Sequence, residues 1–166
     1  DRRGEPAQHL ARLGVDVGDV RIGVAACDPD GVLASPIETV AAGKGAIARL
    51  AEIVSEVEPL ECVVGMPIGL SGREGPAAAK IRAFCEELSP SIAPVSIRLV
   101  DERMSTMTAD GLLRQQGRSG VKRRQVIDQA AATVILQTAL DAERMRGEPP
   151  GEKFESTDER SVVTDE

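Results

Sequence analysis

Tryptophan and tyrosine are missing from this sequence, and Phe84 and Phe154 are its only aromatics. That excludes a nucleic-acid module that stacks bases on an aromatic platform. Histidine is nearly as scarce: His9 stands alone, in a polar stretch ahead of the first apolar run. Nucleophilic chemistry of the Ser-His-Asp or Cys-His kind needs a positioned imidazole and has only this remote one to use. An enzyme of this composition works through carboxylates, Lys and Arg, thiols or a metal ion. Cys27, Cys62 and Cys85 are odd in number and show no C-x-x-C spacing. Zinc ligation and a disulfide framework are therefore disfavoured. Cys27 and Cys62 fall in apolar runs and read as small buried hydrophobes with reduced thiols. No apolar run approaches the roughly 18 residues of a membrane span, and no segment reads as a secretory signal. The expectation is a cytoplasmic protein with no membrane partner. Net positive charge is lacking too: the formal charge is -7. A generally basic DNA-coating protein is excluded.

What is present fits one domain of 166 residues. Apolar alternation and turn residues predict strands over 12–17, 21–27 and 32–40, a meander of three antiparallel strands. The period then changes. Ile47, Leu50, Val54 and Val57 share one helical face and predict a helix over 45–58, ended by Pro59. A short buried strand follows over 62–66, then a glycine-rich loop over 67–75. Pro76 opens a helix to about 88. A strand over 95–100, a helix over 105–116 and a long helix over 125–146 complete the core. Later strands joined through helices run parallel. The class is mixed α/β, with three antiparallel strands, then parallel strands, and helices on both faces. Residues 1–11 read as a flexible lead, 12–146 as the domain and 147–166 as a disordered acidic tail.

Three carboxylates occupy places where α/β sheets bind ligands, at strand ends and helix starts. Asp16 lies between Val15 and Val17 near the end of the first strand. An ionised carboxylate there is costly unless a cation or hydrogen-bond donors meet it. Glu102 follows the 95–100 strand. Asp128 shares a helical face with Ala131, Ala132 and Ile135, small enough to bring that face close to a sheet. Each has a plainer reading: a turn cap for Asp16, a solvated ion pair for Glu102, a helix-dipole partner for Asp128. Taken together, three convergent carboxylates repel unless they bind cations. All-oxygen ligation suits Mg²⁺ or Mn²⁺, which activates water for phosphodiester cleavage without histidine.

Cations stand beside these acids. Arg114, Arg118, Lys122, Arg123 and Arg124 fall within eleven positions, uninterrupted by Asp or Glu. Basic residues oppose the dipole at a helix start, so an external phosphate would relieve them. Arg118, Lys122, Arg123 and Arg124 are candidate nucleic-acid contacts, joined by Arg21 and Arg103 beside the acidic motifs. The 65–75 loop has four glycines but no Gly-Lys-Ser/Thr ending, so a P-loop is rejected. Asp28, near the end of the second strand, is a further acidic candidate that reads as a turn residue.

Several runs resemble the YqgF family of RuvC-like nucleases, bacterial proteins named for pre-16S rRNA processing and for likeness to Holliday junction resolvases. The runs are Asp16-Val-Gly-Asp-Val-Arg-Ile-Gly-Val-Ala25, Val63-Val-Gly-Met-Pro67, Gly72-Arg-Glu-Gly75, Val100-Asp-Glu-Arg-Met-Ser-Thr106 and Val126-Ile-Asp-Gln-Ala-Ala-Ala132. They keep the family's order over about 13–141. Each motif alone is weak; together they are a strong signal. The resemblance implies a ribonuclease H-like fold and metal-dependent phosphodiester hydrolysis, with Asp16, Glu102 and Asp128 as the acidic set. It implies a cytoplasmic role at the 5′ end of pre-16S rRNA, on RNA or ribosomal particles. Gly69, Leu70 and Ser71 depart from the family's Asn-Met-Asp, and Ala131 stands where resolvases carry a fourth acid.

The alternatives are a resolvase of branched DNA, a non-catalytic ribosome-assembly factor and an ATP-binding module. Monomer and homodimer remain open. Residues 147–166 hold seven acidic and two basic side chains. They carry -5 of the -7, so the rest of the chain is near neutral and compatible with nucleic acid.

Overall fold

The computed structural model describes residues 11–67, 75–101 and 120–156, with the backbone alone over 120–128. The meander is β1 (Arg12–Val17), β2 (Arg21–Cys27) and β3 (Ala34–Ala41). Then come α1 (Ala46–Val57), β4 (Glu61–Met66), α2 (Pro76–Ile92), β5 (Ser96–Asp101), α3 (Gly120–Arg146) and β6 (Glu152–Lys153). The sheet order is β3-β2-β1-β4-β5-β6. Strands β1, β4 and β5 are parallel, while β2, β3 and β6 pair antiparallel with their neighbours. This is the mixed α/β sheet that the sequence predicts, with helices on both faces.

Strand alternation sorts the core into two layers. Leu13 and Val15 of β1 pack with Leu50 of α1 and Leu88 of α2 on one face. On the other, Ala25, Val63 and Val100 pack against Ala132, Ile135 and Leu136 of α3. Small residues let α3 lie close. A Cβ added at Gly14 would meet Leu136 Cβ at 2.7 Å and the Ala132 carbonyl oxygen at 2.8 Å. Among the described residues no helix is long and apolar enough to cross a membrane.

The structure differs from the sequence reading in four places. Strand β3 starts at Ala34 rather than at 32, because Asp28 Oδ1 accepts the Val32 and Leu33 N–H groups at 2.8 and 3.0 Å. Those bonds spend the donors a strand would use, and they hold the Asp28 carboxyl below its usual range. Helix α2 continues past Leu88 and Pro90 to Ile92. Leu88 and Ile92, one turn apart, both bury, so packing outweighs the lost proline donor. Helix α3 begins at Gly120, five residues before the expected start, and carries Lys122, Arg123 and Arg124 on its opening turns.

The fourth difference is the tail. Residues 152–153 form β6 on β5, with Arg98 opposite Lys153 and Leu99 opposite Glu152. Phe154 buries in the layer of α1 and α2. Arg98 Nη1 donates to the Pro150 carbonyl at 3.3 Å, and Arg82 Nη2 to Glu152 at 2.6 Å. A free β5 edge and one aromatic anchor thus order a stretch whose polar composition reads as disordered. Residues 157–166 lie outside the described residues, as do 1–10 with His9; Ala11 of the expected flexible lead is buried. The expected helix over 105–116 and most of the 67–75 loop are outside them too.

Candidate functional site

Because β1, β4 and β5 are parallel, their carboxyl ends share one edge of the sheet. Asp16 is the penultimate residue of β1 and is half-buried. Asp101 ends β5, opposite Met66 at the end of β4. Glu102, the next residue, lies outside the described residues.

Asp16 leads into a turn that demands glycine. Gly18 N–H donates to the Arg21 carbonyl at 2.9 Å, and a Cβ on Gly18 would meet that oxygen at 2.6 Å. The turn returns the chain as β2, so Arg21 stands at the same edge. Strand β2 runs the other way, which puts Asp28 at the opposite edge. Its bonds to Val32 and Leu33 make it a turn residue, as expected.

Asp128 enters through α3. In register, Asp16 lies opposite Gly23, and Gly23 opposite Thr39. Directly opposed antiparallel residues point to one face, so these three form a cross-strand row on the α3 side. Gln129 Nε2 of α3 donates to Thr39 Oγ1 at 3.0 Å. Farther along, Gln137 Oε1 accepts the Ala34 N–H at 2.9 Å. Helix α3 therefore runs antiparallel to β3, and so to β1. Ala132 sits over Gly14. One turn back to Asp128 is about 6 Å; two residues on to Asp16 is about 6.6 Å. The helical position 128 and the strand position 16 fall at the same level. Asp128 is also more than two turns inside α3. The terminal dipole fades within the first turn, so it does not explain this residue.

A cleft of about 320 Å³ opens beside Asp16, bounded by Asp19, Pro67, Pro76 and Lys80. Lys80 Nζ lies 3.7 Å from Asp19 Oδ1, and both are exposed, so the pair adds little stability. The sequence reading passes over Lys80, because its partner in the cleft is 61 positions away. It passes over Gln129 for the same reason. Among the predicted cations, Arg103 and Arg118 lie outside the described residues.

The donor set is selective. A thiol ligates metal as thiolate. Burial pushes the Cys62 and Cys85 thiols up to about 12 and raises Cys27. Asp16 offers hard oxygen donors, which suit a hard divalent cation.

Known proteins resemble this chain along most of its length. The family model described as "RuvX: Holliday junction resolvase" matches residues 10–142. A protein of Nocardioides sp. named "Putative pre-16S rRNA nuclease" is 58% identical over 151 residues, covering 88% of this chain and 97% of its own. A Streptomyces coelicolor protein of the same name is 60% identical over 146 residues, covering 87% of each chain. Among solved structures, that titled "T. thermophilus RuvC in complex with Holliday junction substrate" superposes with TM-score 0.60 at 17% identity. It covers 88% of this chain and 100% of its own, a likeness of fold. On the family match and on relatives this similar across nearly all their length, the chain belongs to the RuvX family, the YqgF grouping to which its motifs point, and is a nuclease, a hydrolase of phosphodiester bonds.

Proposed function

We propose that the chain is a divalent-metal-dependent nuclease of the cytoplasm that trims the 5′ end of pre-16S rRNA. Asp16, Glu102 and Asp128 hold Mg²⁺ or Mn²⁺ in this reading. The observation that carries it is the level shared by positions 16 and 128, at the edge where β5 ends with Asp101. Bound there, the metal supplies an activated water and stabilises the leaving oxygen. The chain's own part is to hold oxygen donors at fixed places on two strands and a helix. Lys122, Arg123 and Arg124, on the opening turns of α3, hold the nucleic-acid backbone, with Arg21 at the site edge; Arg103 and Arg118 are further candidate contacts. The names of the Nocardioides and Streptomyces relatives favour pre-16S rRNA as the substrate.

The description of the matching family favours a second substrate, branched DNA. Cleavage of precursor rRNA and of four-way junctions, side by side with Mn²⁺ and with chelator, decides between them. Metal-dependent cleavage of the rRNA alone is expected. Asp16→Asn is expected to abolish cleavage while leaving the circular dichroism spectrum unchanged. Full activity in that variant, or in chelator, would overturn the proposal.

A further inference from the structure

Apolar contact fixes how near α3 comes to the sheet, but not where along it the helix stops. The face that meets β1 mixes Ala132 and Ala139 with Ile135, Leu136 and Leu140, and apolar contact of this kind is non-directional. One residue of slip moves a helix by about 1.5 Å and turns it by about 100°. That is enough to take a side chain out of coordinating range of a partner on the sheet.

Polar hooks supply the missing constraint. Gln129 and Gln137 lie eight residues apart on α3, and both reach the β3 side. Gln137 fastens the later half: its Oε1 accepts the Ala34 N–H, and its Nε2 donates to the Val32 carbonyl at 2.8 Å. Arg144 adds a bond to the Val32 carbonyl at 3.3 Å. The earlier half is hooked to the sheet by Gln129 Nε2 on Thr39 Oγ1. That hook adjoins Asp128 in sequence. Its strand partner lies in the same row as Asp16, with side-chain-free Gly23 between them.

We infer that Gln129 and Thr39 are positioning residues whose hydrogen bond sets the stop of α3 and thereby the spacing of the carboxylates at 16 and 128. The inference rests on the metal-site reading above. The bond spans β3 to α3. It acts through Asp128, and its loss loosens metal binding before it weakens nucleic-acid binding.

The test measures Mn²⁺ affinity by calorimetry without substrate, beside cleavage kinetics and thermal melting. Thr39→Val and Gln129→Leu each remove the bond at nearly constant volume; Thr39→Ser keeps the hydroxyl. Both bond-deleting variants are expected to weaken Mn²⁺ binding about tenfold and to lower kcat comparably. KM for precursor rRNA should stay within about twofold, and Thr39→Ser should restore both losses. Gln137→Leu, which unfastens the other half, should lower the melting temperature and leave Mn²⁺ affinity near wild type. Mn²⁺ affinity of Thr39→Val equal to wild type would overturn the inference. So would an equal loss in Gln137→Leu, which would mark a general effect of stability. Equal Mn²⁺ binding by wild type and Asp16→Asn would instead overturn the carboxylate site itself, and the hook with it.

Discussion

Gly14 shows how much one hydrogen atom in place of a methyl can decide. It lies two residues before Asp16, beneath the point where α3 crosses β1. A methyl there would stand 2.7 Å from Leu136 Cβ and 2.8 Å from a backbone oxygen, so the helix would have to move. Gly14→Ala is expected to cost about 1–3 kcal/mol, the range for overpacking a core. Urea denaturation measures that loss. Because the displaced helix carries Asp128, cleavage should fall by more than the folded fraction does. Gly14 reads in the sequence only as a small residue in a strand, since the partner that requires it is 118 to 122 positions later.

Among the elements, β6 departs furthest from expectation. Composition marks 147–166 as acidic and without periodicity, and a two-residue strand leaves no periodic trace. Its stability comes from β5, whose outer edge offers unpaired backbone groups, and from Phe154, 6% exposed. Phe154→Ala is expected to destabilise the protein by about 3 kcal/mol, at the lower end for buried Phe truncation. Melting of the variant beside wild type checks this, and a change below about 0.5 kcal/mol would contradict the docked strand. Helix α3 teaches a related lesson. Its apolar face is legible from 128 to 140, but its first turns are basic and show no apolar repeat, so the sequence places its start five residues late.

At the scale of the whole molecule, the two edges of the sheet do different work. At the amino edge, Arg12 pairs with Glu61 at 3.2 Å and Glu143 at 2.9 Å, and Arg98 with Glu61 at 3.3 Å. These groups join β1, β4, β5 and α3 in one mutually paired network. The carboxyl edge carries Asp16, its cleft and the end of β5. Charge divides as well, since the last twenty residues hold most of the net negative charge. A positive surface can therefore coexist with an acidic chain. Replacing Lys122, Arg123 and Arg124 with Gln is expected to weaken rRNA binding. It should also reduce the slope of log affinity against log salt by about 2, allowing about 0.7 per single-strand phosphate contact. Filter binding over a salt series reads that slope, and an unchanged slope would place the nucleic acid on another face.

Composition and period by themselves determined the class of fold and the order of β1 through β5. These depend on local alternation, turn residues and counts, which a linear chain displays directly. The motif around Asp16 was legible for the same reason: a carboxylate between two valines just before a glycine turn is a local anomaly. Only the tertiary structure decided that Asp28 faces away, that Lys80 shares the Asp16 cleft, that Phe154 is core and that Gln129 meets Thr39. Each of those depends on strand direction, register or an edge left open. Such relations arise between segments far apart in sequence, where packing, rather than local preference, sets which side chains meet.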